Sequence, residues 1–226
     1  MIAIINAKIL TMAAGIIEKG SILIEDNKII KISKKMDIPA EIEIYNAQGK
    51  IVMPGLIDAH THLGVDEEGI GWEGEDFNEI DNPITPHLRA VDAVNPFDKG
   101  IKSARKNGIT TVMTSPGSAN IFGGEVAAIK TTGRIIDKMI VKAPVGIKAA
   151  LGENPKKVYS DRKKSPITRM GIAAMMRESL VEAEDYLLEK NEGKSNFKRN
   201  LKNESLIKLL NKEIPLKAHV HRADDI

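Results

Sequence analysis

Hydrophobic residues follow two different rhythms on either side of Pro54. Before it, apolar side chains alternate or form short runs, as in GSILIEDNKIIKI from Gly20 to Ile32 and in EIEIY from Glu41 to Tyr45. The first run predicts a β-hairpin that turns at Asp26-Asn27, and the second predicts a strand with one solvent-facing side. We therefore expect residues 1–52 to form a small β-unit.

After Pro54, short apolar runs alternate with segments of helical period. The predicted strands are 55–62, 109–115, 145–152 and 214–226, and the predicted helices are 97–108, 171–190 and 203–212. The helix 171–190 has the clearest apolar face, and its start is signalled by Ser165-Pro166 or by Thr168. Alternation of strands and helices predicts a parallel βα array, interrupted by a long irregular connection over 61–96 that is functional or mobile.

Two of the five histidines end one of these strands, in the stretch MPGLIDAHTHLG from Met53 to Gly64. Alternate strand residues share a face, so Asp58, His60 and His62 point the same way. Imidazoles about 6–7 Å apart on one face can bind a single ion. This predicts a metal site, and the alternative is a chance pair with one packed ring and one solvated ring.

The stretch VMPGLIDAHTHLG resembles the first barrel strand of the amidohydrolase superfamily, whose signature is Pro-Gly, apolar residues, Asp and then His-x-His. NAQGKIVMPG is similar to the family's passage from an amino-terminal β-sandwich into the barrel. GITTVMTSPGSAN resembles the second strand with its loop, and HVHRADDI resembles a later strand that carries histidine. The imidazolonepropionase-like and deacetylase-like members are the most similar. The resemblance implies a (β/α)8 barrel of the TIM type, only the first half or so present over 53–226, after a β-sandwich segment over 1–52.

The resemblance also implies a metal-ligand set. His60 and His62 are the expected ligands from the first strand, and His219 is the expected ligand from the fifth. His221, on the same face, could replace His219 or touch substrate, and Arg222 is a second candidate substrate contact. Glu153, which follows KAALG, is the favoured fourth ligand; Lys148, if carboxylated, is its rival, and Glu153 is otherwise a helix N-terminal or surface acid.

The resemblance further implies hydrolysis of non-peptide C–N bonds in small cyclic or linear amides. A divalent cation lowers the pKa of bound water from about 15.7 toward about 7 and polarises the substrate carbonyl. Nitrogen and oxygen ligands suit Zn²⁺ best here, and Mn²⁺ or Fe²⁺ are compatible. The resemblance also implies a later histidine ligand and a general-base aspartate, which we expect beyond Ile226, because Asp224 and Asp225 are too close to His219 in sequence.

These expectations describe the amino-terminal portion of an amidohydrolase. An open half-barrel leaves apolar faces and strand edges exposed, so we expect a complementary chain or a second copy to cover them. The alternative function is a catalytically incomplete fragment, or a binding or assembly subunit that keeps the fold.

Substrate contacts are harder to assign. Ser115 to Gly124 is either a flexible connection or a rim that faces the substrate. Four cations could each bind an anionic substrate, and nothing in the sequence separates them: Lys156, Arg162, Arg169 and Arg222.

Composition narrows the possibilities further. Cysteine is absent, which excludes disulfides, thiolate metal sites and a cysteine nucleophile. The net charge of +2 comes without a basic block, so nucleic acid and anionic membranes are not expected partners. The start of the chain, MIAIINAKIL, lacks the pattern of a signal peptide, which predicts a cytoplasmic location.

Overall fold

The computed structural model describes residues 1–193 and 196–225, which form two compact units divided between Gly55 and Leu56. The last position of the predicted barrel segment 53–226 lies outside the described residues. Each unit has its own sheet, and the fold class is mixed α/β.

The first unit is one five-stranded sheet around its amino-terminal strand. Its strands are β1 (Ile2–Leu10), β2 (Ile16–Glu25), β3 (Lys28–Ser33), β4 (Glu43–Asn46) and β5 (Ile51–Val52). The predicted hairpin is confirmed as β2 and β3, which pair antiparallel. Asp26 and Asn27 both adopt positive φ, as a two-residue hairpin turn requires, and Asn and Asp tolerate that conformation.

The second unit has a mixed sheet. Its strands are β6 (Leu56–Thr61), β7 (Ile109–Thr114), β8 (Phe122–Lys130), β9 (Ile140–Ala150) and β10 (Leu216–His219), in the order β10-β9-β8-β7-β6. Two of the pairings, β6 with β7 and β9 with β10, are parallel. Because β8 runs antiparallel to both of its neighbours, the prediction of a wholly parallel array was wrong.

The end of the stretch Ser115–Gly124, for which the sequence allowed a flexible connection or a substrate-facing rim, enters the central strand β8 of this sheet. Every residue of β8 except Lys130 is buried. At Gly124, φ is +138°, and a Cβ would lie 2.5 Å from the carbonyl oxygen of Leu88, so only glycine fits the close approach of the two backbones. A Gly-Gly pair can therefore belong to a buried strand where another backbone packs against it.

The described residues of this unit also form the helices α1 (Lys99–Lys106), α2 (Ile136–Met139), α3 (Glu153–Asp161), α4 (Arg169–Asn191) and α5 (Leu201–Leu210). Short 3-10 turns cover Trp72–Gly74, Ala90–Asp92 and Ala223–Asp225. Thr168 caps α4 by accepting a hydrogen bond from the Gly171 N–H, which selects the second of the two predicted start signals. No helix among the described residues is long and apolar enough to cross a membrane.

Two apolar clusters hold the helices on the sheet. One centres on Ile101, Val112 and Ile129, and the other joins Phe122 and Ile147 of the sheet to residues of α4 and α5. Burying a side chain of this size contributes about 1.5–3 kcal/mol. The ends of the strands are thereby fixed relative to one another.

The sheet is also strongly rolled. The ammonium group of Lys217 in β10 donates a hydrogen bond of 2.8 Å to the carbonyl of Ala59 in β6, although these strands form opposite edges. In a flat sheet, four spacings of about 4.8 Å would separate the edges by about 19 Å. A lysine side chain reaches only about 6 Å, so the two edges must curl toward each other.

The irregular connection after β6 is pinned by a buried carboxylate. Asp98, with 3% of its surface exposed, accepts hydrogen bonds from the N–H groups of Gly100, Gly64 and Glu68. It caps α1 and fixes the backbone that leaves the His-x-His strand. A second buried network pins the later part of the connection, since Asn120 donates to Thr85 and accepts from the Tyr159 hydroxyl.

We expect Asp98→Ala to lower the free energy of unfolding by about 2–4 kcal/mol, because it removes a helix cap and leaves two loop donors unpaired. Chemical denaturation of the purified chain measures the change. Asp185→Ala, on the exposed side of α4, is the matched control and should change stability by less than about 0.5 kcal/mol. Equal effects of the two substitutions would show that Asp98 has no special role.

Candidate metal centre

His60 and His62 come together at the end of β6. Their ring centroids are 5.5 Å apart in an edge-to-face arrangement, so both rings lie on one side of the strand. The Nδ1 of His62 lies 2.8 Å from the carbonyl oxygen of Ser115. A carbonyl only accepts hydrogen bonds, so Nδ1 carries the proton and Nε2 keeps a free lone pair. This is how a metal-binding histidine is commonly held.

A second histidine pair lies at the end of β10. The rings of His219 and His221 have centroids 4.7 Å apart, and their Nε2 atoms are 3.2 Å apart. The side-chain amide of Asn154 lies 3.4 Å from the His219 Nε2. Because β10 ends at His219, His221 belongs to the turn that follows, and the strand predicted over 214–226 is shorter than expected.

Lys148 is the buried cation of this region. It lies in β9 with 1% of its surface exposed, and its ammonium group donates to the Ser118 hydroxyl at 2.7 Å. Burial, together with the charge of Lys217 opposite it on β10, lowers the pKa of Lys148 to about 8. An amine in this position is deprotonated far more readily than an exposed lysine.

The histidines and Lys148 lie within electrostatic reach of one another. Burial is the main cause of the lowered pKa of His60, and electrostatic interactions with four neighbouring side chains lower it further: Lys148, His62, Lys217 and His219. The pKa of His219 is lowered by burial and by the charges of Lys148, His221 and His62. Both shifts favour the neutral imidazole, which is the form that binds metal.

The described residues do not contain three or more His, Cys, Asp or Glu side chains grouped closely enough to hold one ion. What these residues form is two histidine pairs with a buried lysine near them. The region therefore offers nitrogen donors without a carboxylate at its centre.

The carboxylate predicted as fourth ligand lies at the periphery. Glu153 is the first residue of α3, its side chain is 65% exposed, and its Oε2 lies 3.6 Å from the His221 Nδ1. Of the two alternatives left by the sequence, Lys148 has the more central and more buried position.

The cations considered for substrate binding are engaged elsewhere or exposed. Arg222 is exposed and forms a two-pronged ion pair with Asp224, at 2.8 and 3.0 Å. Arg169 pairs with Asp224 and Asp225. Lys156 is half-buried on α3, and Arg162 is exposed just beyond it.

A small cavity of about 300 Å³ adjoins His62. Its lining includes Phe77, Asn78, Ser118, Asn154 and Lys157. Ser118 lies within the Ser115–Gly124 stretch, so part of the predicted rim does face this cavity. Asn154 was missed at the sequence level, because nothing in ENP distinguishes it from a helix-start asparagine.

Lys217 was also missed, although a signal for it exists. It lies two residues before His219 in a strand, and the period of two places both side chains on one face. Its side chain donates a hydrogen bond to the carbonyl of Ala59, the residue that directly precedes His60.

Comparison with known proteins gives three informative relatives. No family model matches the chain. The crystal structure of an amidohydrolase from Thermotoga maritima superposes with a TM-score of 0.94 at 41% identity, covering 100% of this chain and 59% of that one. The amidohydrolase tasK of Hapsidospora irregularis is 35% identical over 167 residues, which are 67% of this chain and 17% of tasK. An imidazolonepropionase of Paracoccus denitrificans is 28% identical over 195 residues, which are 77% of this chain and 48% of the relative.

The chain thus spans less than two thirds of the length of each of these relatives. The match to the Thermotoga structure nevertheless extends over every part of this chain, including the segments that carry His60, His62 and His219. The family indicated by the His-x-His strand is confirmed: this chain belongs with the amidohydrolases.

Proposed function

We propose that this chain contributes the first part of the active site of a metal-dependent hydrolase that cleaves non-peptide C–N bonds in small cyclic or linear amides. The observation that carries the proposal is that two histidine pairs lie within electrostatic reach of each other and of the buried amine of Lys148. The relation to amidohydrolases supports the same reaction class.

The donor set fits a divalent cation. His62 has its Nδ1 proton engaged by the Ser115 carbonyl, and His60 and His219 are biased toward the neutral form. Nitrogen ligands without sulfur suit Zn²⁺, with Mn²⁺ or Fe²⁺ as alternatives. A bound cation would acidify a water molecule and polarise the substrate carbonyl. We propose His60, His62 and His219 as its protein ligands.

We propose carboxylated Lys148, rather than Glu153, as the anionic ligand. The neutral amine attacks carbon dioxide, a C–N bond forms, and one proton leaves to give a carbamate anion. Burial favours the neutral amine, and the Ser118 hydroxyl lies 2.7 Å from the Lys148 nitrogen. Glu153, by contrast, would have to leave its exposed position beside His221.

The cavity beside His62 suits a small substrate. Phe77 supplies an apolar wall, with its ring centroid 5.4 Å from that of His62, and Asn154 supplies an amide close to His219. Of the two predicted substrate contacts, His221 is the one that touches a proposed metal ligand, since it is in contact with His219. Arg222 would first have to release Asp224.

The wider architecture is part of the proposal. The rolled sheet of the second unit supports a partial (β/α)8 barrel over 53–226, after a β-sandwich segment over 1–52. The general-base aspartate is expected beyond Ile226. Among the described residues, the edge strands β6 and β10 each pair with one neighbour, and their open edges call for a complementary chain or a second copy beside them. We place this assembly in the cytoplasm.

A second candidate function is a binding or assembly subunit that keeps the fold without catalysis. It is favoured by one observation: the described residues include no group of three or more His, Cys, Asp or Glu side chains that could hold one metal ion. Such a protein would bind a small amide or a partner chain without turning it over.

We expect His60→Ala to weaken Zn²⁺ binding by at least about 100-fold. The loss of a residue that only supports a metal ligand already weakens binding by about 10–100-fold, and this substitution removes a ligand itself. Calorimetric titration of the metal-free chain measures the affinity. His87→Ala is the matched control, because His87 lies outside both pairs, and it should leave the affinity unchanged. Equal losses in both variants would contradict the site.

Lys148→Met should abolish bicarbonate-dependent Zn²⁺ binding, because Met keeps the buried volume but cannot form a carbamate. Glu153→Gln should retain it. The measurement is Zn²⁺ affinity with and without bicarbonate, together with a carbamate carbon resonance after addition of ¹³C-bicarbonate. The opposite ranking of the two variants would identify Glu153 as the ligand.

The two candidate functions differ in turnover. If the chain belongs to a hydrolase, the protein with added Zn²⁺ or Mn²⁺ should cleave at least one member of a panel of lactams, cyclic imides and N-acyl compounds. A chelator should abolish this cleavage, and reloading the metal should restore it. Chromatography measures this cleavage by detecting the ring-opened product or the released amine. Stoichiometric metal without any cleavage would favour the binding subunit.

A further inference from the structure

Lys217 joins the two edges of the rolled sheet. Its Nζ donates to the Ala59 carbonyl at 2.8 Å and lies 3.1 Å from the Met113 sulfur. Ala59 is in β6 and Met113 is in β7, whereas Lys217 itself is in β10. One side chain therefore crosses the concave face from the last strand to the first two.

The two ends of this link lie next to the proposed ligands. Ala59 immediately precedes His60, and Lys217 lies two residues before His219 on the same face of β10. The distance between the two strands sets the separation of these imidazoles. A link at this depth fixes that distance from within the sheet.

The positive charges nearby disfavour a lysine at position 217 of β10, so its presence there calls for a compensating role. Lys217 is in register with Lys148, so two cations face each other across neighbouring strands. A further positive charge also repels any metal ion bound nearby. An apolar side chain would fill the same space without either penalty, but it could not donate to the Ala59 carbonyl.

We propose that Lys217 is a positioning residue that holds β10 against β6 and so sets the spacing between His60 and His219. This inference rests on the proposed function only in its second half, the effect on metal binding. The link itself is a property of the metal-free chain and can be tested alone.

The first measurement uses no metal. The chain has no cysteine, so Ile57→Cys and Glu213→Cys give two unique positions for spin labels. Ile57 lies in β6 and Glu213 lies just before β10, and both are exposed. In the Lys217→Met background, we expect a longer mean distance or a broader distribution than in the parent. Lys142→Met, an exposed lysine of β9, is the control and should leave the distribution unchanged.

The second measurement asks whether Lys217→Met weakens or strengthens Zn²⁺ binding. If Lys217 positions the ligands, Lys217→Met should weaken Zn²⁺ binding by about 10-fold or more, as loss of a supporting residue does. If Lys217 were only a nearby charge, the same substitution would tighten binding. Lys217→Arg, which still donates to a carbonyl, should recover part of the loss.

An unchanged spin-label distance in Lys217→Met overturns the inference, and so does unchanged or tighter Zn²⁺ binding. If the parent chain binds no Zn²⁺, the proposed function fails while the distance comparison still decides whether Lys217 joins the strands. Thermal unfolding of each variant verifies that it is folded before either measurement is interpreted.

Discussion

The curvature of the second sheet determines which side chains of this protein can meet. Strands at opposite edges would be too far apart in a flat sheet for any histidine of β6 to approach one of β10. Because the sheet rolls, the carboxyl ends of both strands approach the same space, and His60, His62 and His219 lie near the buried Lys148. The chemistry of the region therefore follows from the shape of the sheet.

Charge is distributed unusually around this space. Two buried or half-buried lysines and four histidines face it, while Glu153 lies at its exposed margin. Burial, and then repulsion from neighbouring positive charges, lowers the pKa of His60, of His219 and of the Lys148 amine. An anion would relieve that repulsion, which supports the carbamate that we propose on Lys148.

The sequence predicted local elements more reliably than their arrangement. The hairpin at Asp26-Asn27 and the helix after Thr168 were predicted because a turn and a cap have strong local signals. The antiparallel strand β8 was not predicted, because Gly123-Gly124 has the composition of a loop. Its burial depends on the backbone at Leu88, which is distant in sequence. Likewise, His60 and His62 follow from strand period, whereas the choice between Lys148 and Glu153 depends on tertiary position.

The link between Lys217 and Ala59 spans 158 residues of sequence, whereas β8 and β9 are neighbours along the chain. Contacts between distant residues require the closure of long loops and form slowly, while a local strand pair forms early. We infer that the β8–β9 hairpin is present before β10 reaches β6 during folding. The histidines would then converge only in the last stage of folding, so a nascent or partly folded chain would hold no competent site.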